Sequence, residues 1–420
     1  MTFWRRNPSW VLGRAYSWGF TSQLASAAAN FGLSWMAARI LGPGGLGEVF
    51  IGFSAYLVVL GLQRSLLTDP LVARSSTLAA AARTAATRAA LTVALMLAAA
   101  AAAAIAVVGL LVPGSIGRGL LLVSPWLGPT LLQDFWRMAL FRDDRGGAGA
   151  ANDLSWLATM VVMAPAAFLI RSEWAVIGCW GAVATVAMVV GFAQTGIRPE
   201  RVIRAVRWWQ STAWPLGRWL GAESLVYALG SQALTFVLAA VLNTQAVGGI
   251  RSVQSVFAPL SVIGPALALP GLPAITRRNV VSVTGARRLA AGLGAIAAVL
   301  TVGYVMVAVV GGSRLLGFVF GSSFRSFEPL VWPIGLREIL VAPTLGFPLL
   351  LRAQGRGRAL LAGRTIASVV TLTLGTVLAV RDGVIGAAWG IATGAALGAL
   401  ILMGFALTGP AAPVAEPTRG

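Results

Sequence analysis

The sequence predicts an all-α polytopic membrane protein with about 12 transmembrane helices of about 21 residues each, arranged in two six-helix lobes with both ends in the cytoplasm. Three observations carry this reading. The 420 residues are 57% hydrophobic and 11% charged, with a mean hydropathy of +0.82, whereas soluble domains carry about 25% charged residues. Long uncharged runs recur along the chain, the plainest being AALTVALMLAAAAAAAIAVVGLLV from Ala89 to Val112. The basic residues, all of them Arg, gather in alternate loops.

The spans are expected at 17–38, 49–68, 89–112, 118–140, 154–171, 174–193, 215–242, 249–270, 289–312, 328–351, 365–380 and 383–407. The first carries Gln23, Asn30 and several Ser residues, so it reads as an uncleaved span and not as the compact apolar core of a signal peptide. The second closes before Arg74. The fourth holds Pro125 and Pro129, the eighth Pro259, Pro265 and Pro270, and the tenth Pro333, Pro343 and Pro348. Such breaks free backbone polar groups, which are tolerated in a bilayer only where protein or water satisfies them. The fifth and eleventh are short.

Orientation follows from Arg. With the N-terminus inside, the outer loops hold only Arg39, Arg118, Arg171, Arg314, Arg325 and Arg381. Arg64, Arg218, Arg251 and Arg337 lie within spans, and the rest of the 32 fall in inner loops and tails. That asymmetry is the positive-inside pattern, and one span more or fewer would scramble it. The formal charge of +19 therefore reports membrane topology and does not point to a nucleic-acid partner.

The expected organisation is an N-terminal lobe over 1–195, a cytoplasmic basic linker over 196–213, a C-terminal lobe over 214–408 and a cytoplasmic tail over 409–420. In the linker, Arg198, Arg201, Arg204 and Arg207 recur every third residue ahead of Trp208 and Trp209. This pattern suits a helix lying in the headgroup layer and equally a solvated basic connection. An offset of 201 residues lays AARILGPGGLGEVF (37–50) over LAAVLNTQAVGGIR (238–251). Each segment reads as a span end, a short outer turn and a new span. Two six-span repeats insert in the same sense, with a site between them.

Ion chemistry is sparse. There is no His and a single Cys, Cys179, so neither an imidazole or thiolate metal site nor an intrachain disulfide is available, and no metal or cofactor is expected. With no Lys, the chain cannot carry a GxxxxGK[ST] phosphate loop. The outer loops are short and poor in acids, which argues against a membrane glycosyltransferase or polymerase.

A charge at the bilayer centre costs about 2.5–3.5 kcal/mol on the insertion scale and usually marks a cavity or a partner. The candidates for binding substrate in a cavity are Arg251, Arg337, Arg218, Arg64, Gln254 and Asn30. Those for ion coupling are Glu223, Glu338 and Asp134. Helical spacing groups Glu223, Tyr227 and Ser231 on span seven, Arg251, Gln254 and Ser255 on span eight, and Ser22, Ser26 and Asn30 on span one. Ser54, Gly61, Ser65 and Thr68 share a face of span two. Stripes of small residues also serve helix packing. Arg64 and Arg218 are expected to reach toward the inner headgroups. Arg337 and Glu338 are adjacent and should point about 100° apart.

The segment AARILGPGGLGEVFIGFSAYLVVLGLQRSLLTDPLV resembles the opening of polysaccharide-exporting flippases of the MOP superfamily, which are similar to lipid II flippases and MATE drug exporters. LQDFWRMALFRDDRGGAGAANDLSWL (132–157), GGIRSVQSVFAPLSVIGPALALPGLPAI (248–275) and LRAQGRGRALLAGR (351–364) extend the resemblance. It implies two lobes about a central cavity and alternating access. It also implies transport of a polyprenyl-diphosphate-linked oligosaccharide from the inner to the outer leaflet of a bacterial cytoplasmic membrane, beside other polysaccharide-assembly membrane proteins. The alternative is an ion-coupled exporter of small molecules of the MATE type. A planar, always-charged guanidinium suits a diphosphate, and the excess of Arg over carboxylate within the spans leans toward an anionic cargo.

Overall fold

The computed structural model describes residues 8–75, 78–264, 275, 282–354 and 356–408, and every regular element among them is helical. Seven helical stretches among the described residues are long and apolar enough to cross a membrane, and the chain is a multi-pass membrane protein.

The first stretch shows how local chemistry divides a long helix. α1 (Pro8–Gln63) covers expected spans one and two and breaks at Gly42, with φ 71° and ψ −170°. That region is costly for any residue with a Cβ. Pro43 follows, where its fixed φ and missing N–H suit a new first turn. The helix then widens into a π turn at Arg64–Thr68 and continues as α2 (Asp69–Ser75). α3 (Ala80–Leu111) contains the uncharged run. The fourth expected span is two helices, α4 (Gly114–Val123) and α5 (Leu127–Arg142), joined by the turn Ser124–Trp126 that contains Pro125.

α6 (Gly146–Ile170) begins well before the expected start at 154, which brings Asn152 and Asp153 into a helix. Ser172 accepts the Ala175 N–H at 3.1 Å and caps α7 (Glu173–Thr195). The linker folds as α8 (Val202–Trp208), followed by a π turn at Trp209–Ala213 that leads into α9 (Trp214–Val241). Asn243 then caps α10 (Thr244–Val256) by accepting the Ala246 N–H at 2.9 Å. The helix breaks at Gly42 and Asn243 stand at matching places in the 201-residue offset.

Beyond it come α11 (Val283–Phe320), α12 (Val331–Val341), α13 (Gly346–Ala353) and α14 (Gly357–Thr408). Pro265 and Pro270 of expected span eight lie outside the described residues. Pro343 falls in a 3-10 turn at Ala342–Thr344 that separates α12 from α13. α14 joins expected spans eleven and twelve through Gly383, at φ 64°. Its two arms touch backbone to backbone, since a Cβ on Gly390 would stand 2.5 Å from Gly375 Cα. Small residues at such crossings let membrane helices approach closely.

The chain divides into two compact units, Met1–Ala239 and Ala240–Gly420, so α9 lies almost wholly in the first. In the first unit Leu67, Leu71, Ala90, Phe135, Trp136 and Ala205 close one buried cluster. In the second, Ala286, Ala290, Phe347, Leu350, Leu351 and Ala406 form another.

Candidate functional site

A polar cavity of about 240 Å³ lies inside the first unit, between α1, α5, α6 and α7. Asp134 on α5 is at its centre, fully enclosed. Arg64 grips it with both arms, Nε to Oδ2 at 2.8 Å and Nη2 to Oδ1 at 2.5 Å. Arg137, one turn further along α5, adds Nη2 to Oδ1 at 2.7 Å. The fork of a guanidinium matches a carboxylate in this bidentate form. The π turn that begins at Arg64 widens α1 where this side chain leaves it; such turns are frequent at functional sites.

Asp153 on α6 is the second carboxylate. Ser22 on α1 donates to its Oδ2 in a short bond, and Gln133 Nε2 donates to its Oδ1 at 2.9 Å. Arg137 Nη1 stands 4.0 Å from Oδ2. Gln133 also donates to Asn152 Oδ1 at 3.0 Å, and Asn152 donates to the Ala187 carbonyl on α7 at 2.6 Å. One network thus ties four helices together and satisfies groups whose burial would otherwise be costly.

One wall is aromatic. Trp180 meets Tyr56 edge-on at 5.2 Å, Phe53 at 5.9 Å and Trp156 at 6.0 Å between ring centroids. The Trp156 indole N–H is buried without an acceptor among the described residues. Gln23, Ser26 and Asn30 complete the lining.

No protein-family model matches the chain, and no curated protein matches it significantly. Solved structures do. A MATE multidrug transporter of the MOP superfamily, in its inward-facing conformation, superposes with a TM-score of 0.69 over 92% of this chain and 93% of its own, at 11% identity. The lipid II flippase MurJ, inward closed, gives 0.72 over 91% and 86%, also at 11% identity. The fold is that of the MOP-superfamily transporters. A MOP transporter from Pyrococcus furiosus, described for the reverse polarity of its binding pocket, gives 0.64 over 96% of both chains at 11% identity. The MOP fold is thus shared by this chain, drug exporters and a lipid flippase, while at such identities no residue of theirs maps onto it by sequence.

Within the MOP fold, the candidates from sequence separate. Arg64, Asp134 and Asn30 meet at the cavity. Arg64, expected to reach toward the inner headgroups, is instead bound to Asp134, a buried carboxylate across the helix interface. Arg218 is exposed, with its guanidinium 5.3 Å above the Trp219 ring. The backbone of Glu223 is on α9, and its side chain, with those of Tyr227 and Ser231, lies outside the described residues. Arg251 and Gln254 sit on α10, both partly buried, in the second unit. Arg337 and Glu338 on α12 bond to each other. Their Cα–Cβ directions diverge, yet the long guanidinium arm swings sideways and closes the gap, so the expectation that they stay apart is corrected.

Sequence reasoning missed Asp153, Arg137, Gln133, Trp156 and Trp180. An expected start of span five at 154 leaves Asp153 in an inner loop, and Arg137, near the inner end of expected span four, counts among the inner-side arginines. A usable signal was present: Gln133, Asp134 and Arg137, and likewise Asn152, Asp153 and Trp156, repeat at three- and four-residue spacing, which makes one polar face on each helix.

Proposed function

We propose that the protein carries a polyprenyl-diphosphate-linked oligosaccharide from the inner to the outer leaflet of a bacterial cytoplasmic membrane by alternating access. Drug exporters and a lipid flippase share this fold, so the cargo must be argued from the residues. The observation that carries the reading is the clamp on Asp134. Both its oxygens are taken by guanidinium donors of Arg64 and Arg137, and both oxygens of Asp153 accept bonds from Ser22 and Gln133. A site for lipophilic cations needs a carboxylate face open to the ligand, and these two are occupied. The surplus of Arg in the spans favours an anionic headgroup instead.

In this reading Arg251 and Arg337 hold the diphosphate at successive depths, with Gln254 beside the first. Arg337 exchanges its bond to Glu338 for one to the headgroup. Glu223 and Glu338 are the remaining candidates for coupling an ion, since the oxygens of Asp134 are committed. Reconstitution into liposomes tests the function. A fluorescent polyprenyl-diphosphate sugar should cross between leaflets when the protein is present, at a rate cut by Arg251→Ala. Export of a lipophilic cation dye with no movement of the glycan lipid would assign the chain to the small-molecule exporters.

A further inference from the structure

We propose that the cavity of the first unit is a subsite for one neutral sugar ring of the cargo, separate from the groups that hold its diphosphate. The inference rests on the glycan-lipid reading above and gives this pocket a part in it. Four observations converge.

The first is charge. The charged groups that line the cavity are Arg64, Arg137, Asp134 and Asp153, two guanidiniums against two carboxylates, joined by ion pairs. A diphosphate gains little from guanidiniums already committed to a carboxylate, and a cation gains little from carboxylates whose oxygens already accept bonds from Arg64, Arg137, Ser22 and Gln133. An uncharged, strongly hydrogen-bonding ligand meets neither obstacle.

The second is size. Pockets for drug-sized ligands run from about 300 Å³ upward, and this cavity is about 240 Å³. It has room for a single ring, not for a whole oligosaccharide or a large drug.

The third is the aromatic wall of Phe53, Tyr56, Trp156 and Trp180. One face of a pyranose is a sheet of C–H groups. Weakly positive C–H groups lie well against the negative face of an aromatic ring.

The fourth is a polar rim. Gln23 and Asn30 offer amides and Ser26 a hydroxyl. Each can both donate and accept, as each sugar hydroxyl does. Trp156 adds a buried N–H without an acceptor among the described residues, which a ring oxygen or hydroxyl would satisfy. Aromatic rings together with amides and hydroxyls in the lining of one cavity make a surface for a polyol ring.

The test uses the purified full chain in detergent and saturation-transfer NMR, a method suited to weak binding. The probes are methyl glycosides of hexoses and N-acetylhexosamines, with inorganic pyrophosphate and tetraphenylphosphonium as the charged rivals. At least one glycoside should receive saturation from the protein. Trp156→Leu, which removes platform and N–H together, should weaken it about fivefold to tenfold, the worth of one good aromatic contact. Trp156→Phe, which keeps a ring, should lose less. Should Trp156→Leu lower the melting temperature, Gln23→Leu at an exposed position of the rim carries the same expectation. The subsite is overturned if no glycoside of the panel binds, if these variants bind as the parent does, or if a charged rival displaces the glycoside. The liposome assay separates the two ideas. Glycan-lipid transport without glycoside binding removes the subsite and leaves the transport reading. Glycoside binding lost in the variants, with no transport, does the reverse.

Discussion

Asp134 decides the most at the scale of single residues. Its side chain is 3% exposed and holds two guanidiniums. Removing one member of a buried ion pair costs about 3–5 kcal/mol, because the other charge is left uncompensated. Asp134→Ala should therefore lower the melting temperature of the purified protein strongly. Arg64→Ala should cost less, since Arg64 is 35% exposed and Arg137 still serves the carboxylate. Unchanged melting of Asp134→Ala would show that the clamp holds nothing together. Arg337 offers a contrasting pair, 36% exposed against 22% for Glu338. Exposed pairs contribute about 0–1 kcal/mol, so Arg337→Ala should leave expression and melting nearly intact while reducing glycan-lipid transport about tenfold or more, the worth of a hydrogen bond to a charged group. Loss of folded protein with normal transport by what survives would make Arg337 structural.

Between residues and the whole lie the helix breaks and the linker. Gly42 sits at φ 71° and ψ −170° and Gly383 at φ 64° and ψ −146°, a region nearly reserved for glycine that costs another residue about 1–3 kcal/mol. Gly42→Ala and Gly383→Ala should each destabilise by that amount in denaturant titration, and no loss in either would mean that the turn relaxes to another geometry. The linker is latched to α3. Glu200 N–H donates to the Arg88 carbonyl at 3.2 Å, and Thr92 Oγ1 donates to the Glu200 carbonyl at 2.8 Å. The Arg201 N–H at 3.0 Å, with the guanidiniums of Arg88 and Arg204 at 3.9 and 4.0 Å, holds the Glu200 carboxyl below its ordinary value of 4.5. A depressed carboxyl contributes its stability above the ordinary value and loses it as pH falls through the lowered one. Amide protection in 196–213, corrected for the intrinsic pH dependence of exchange, should thus be constant from neutral pH down to about pH 5 and should fall only in stronger acid. A loss of protection near neutrality would show that Glu200 is not part of the latch.

For the whole molecule the arrangement of Arg predicts sidedness. Cys179 is the sole cysteine and is buried, so Cys179→Ala gives a clean background. Arg198→Cys and Ser323→Cys occupy exposed positions separated by an odd number of expected spans. A membrane-impermeant thiol reagent added to intact cells should label the second and spare the first. Labelling of both or neither from outside would break the topology. Transport itself is also a prediction at this scale, since alternating access requires that the glycan lipid change leaflet and not merely bind.

Composition, hydropathy and the Arg alternation were sufficient to read an all-α membrane protein and the places of most helices, and the 201-residue offset was sufficient to read a turn in each of 37–50 and 238–251. These features are local, because the bilayer imposes length and apolarity on every span independently. The segment 132–157 also stands out by its resemblance, and it supplies Gln133, Asp134, Arg137, Asp153 and Trp156 to the cavity, with Asn152 bonded to Gln133 beside it. What only the tertiary structure decided is which charges meet. Arg64 and Asp134 are 70 residues apart in the chain, and Ser22 and Asp153 are 131 apart. Nothing in helical periodicity records the rotation of one helix against another. That rotation turns an Arg expected to reach toward water into one arm of a buried clamp, and four scattered aromatic rings into a wall.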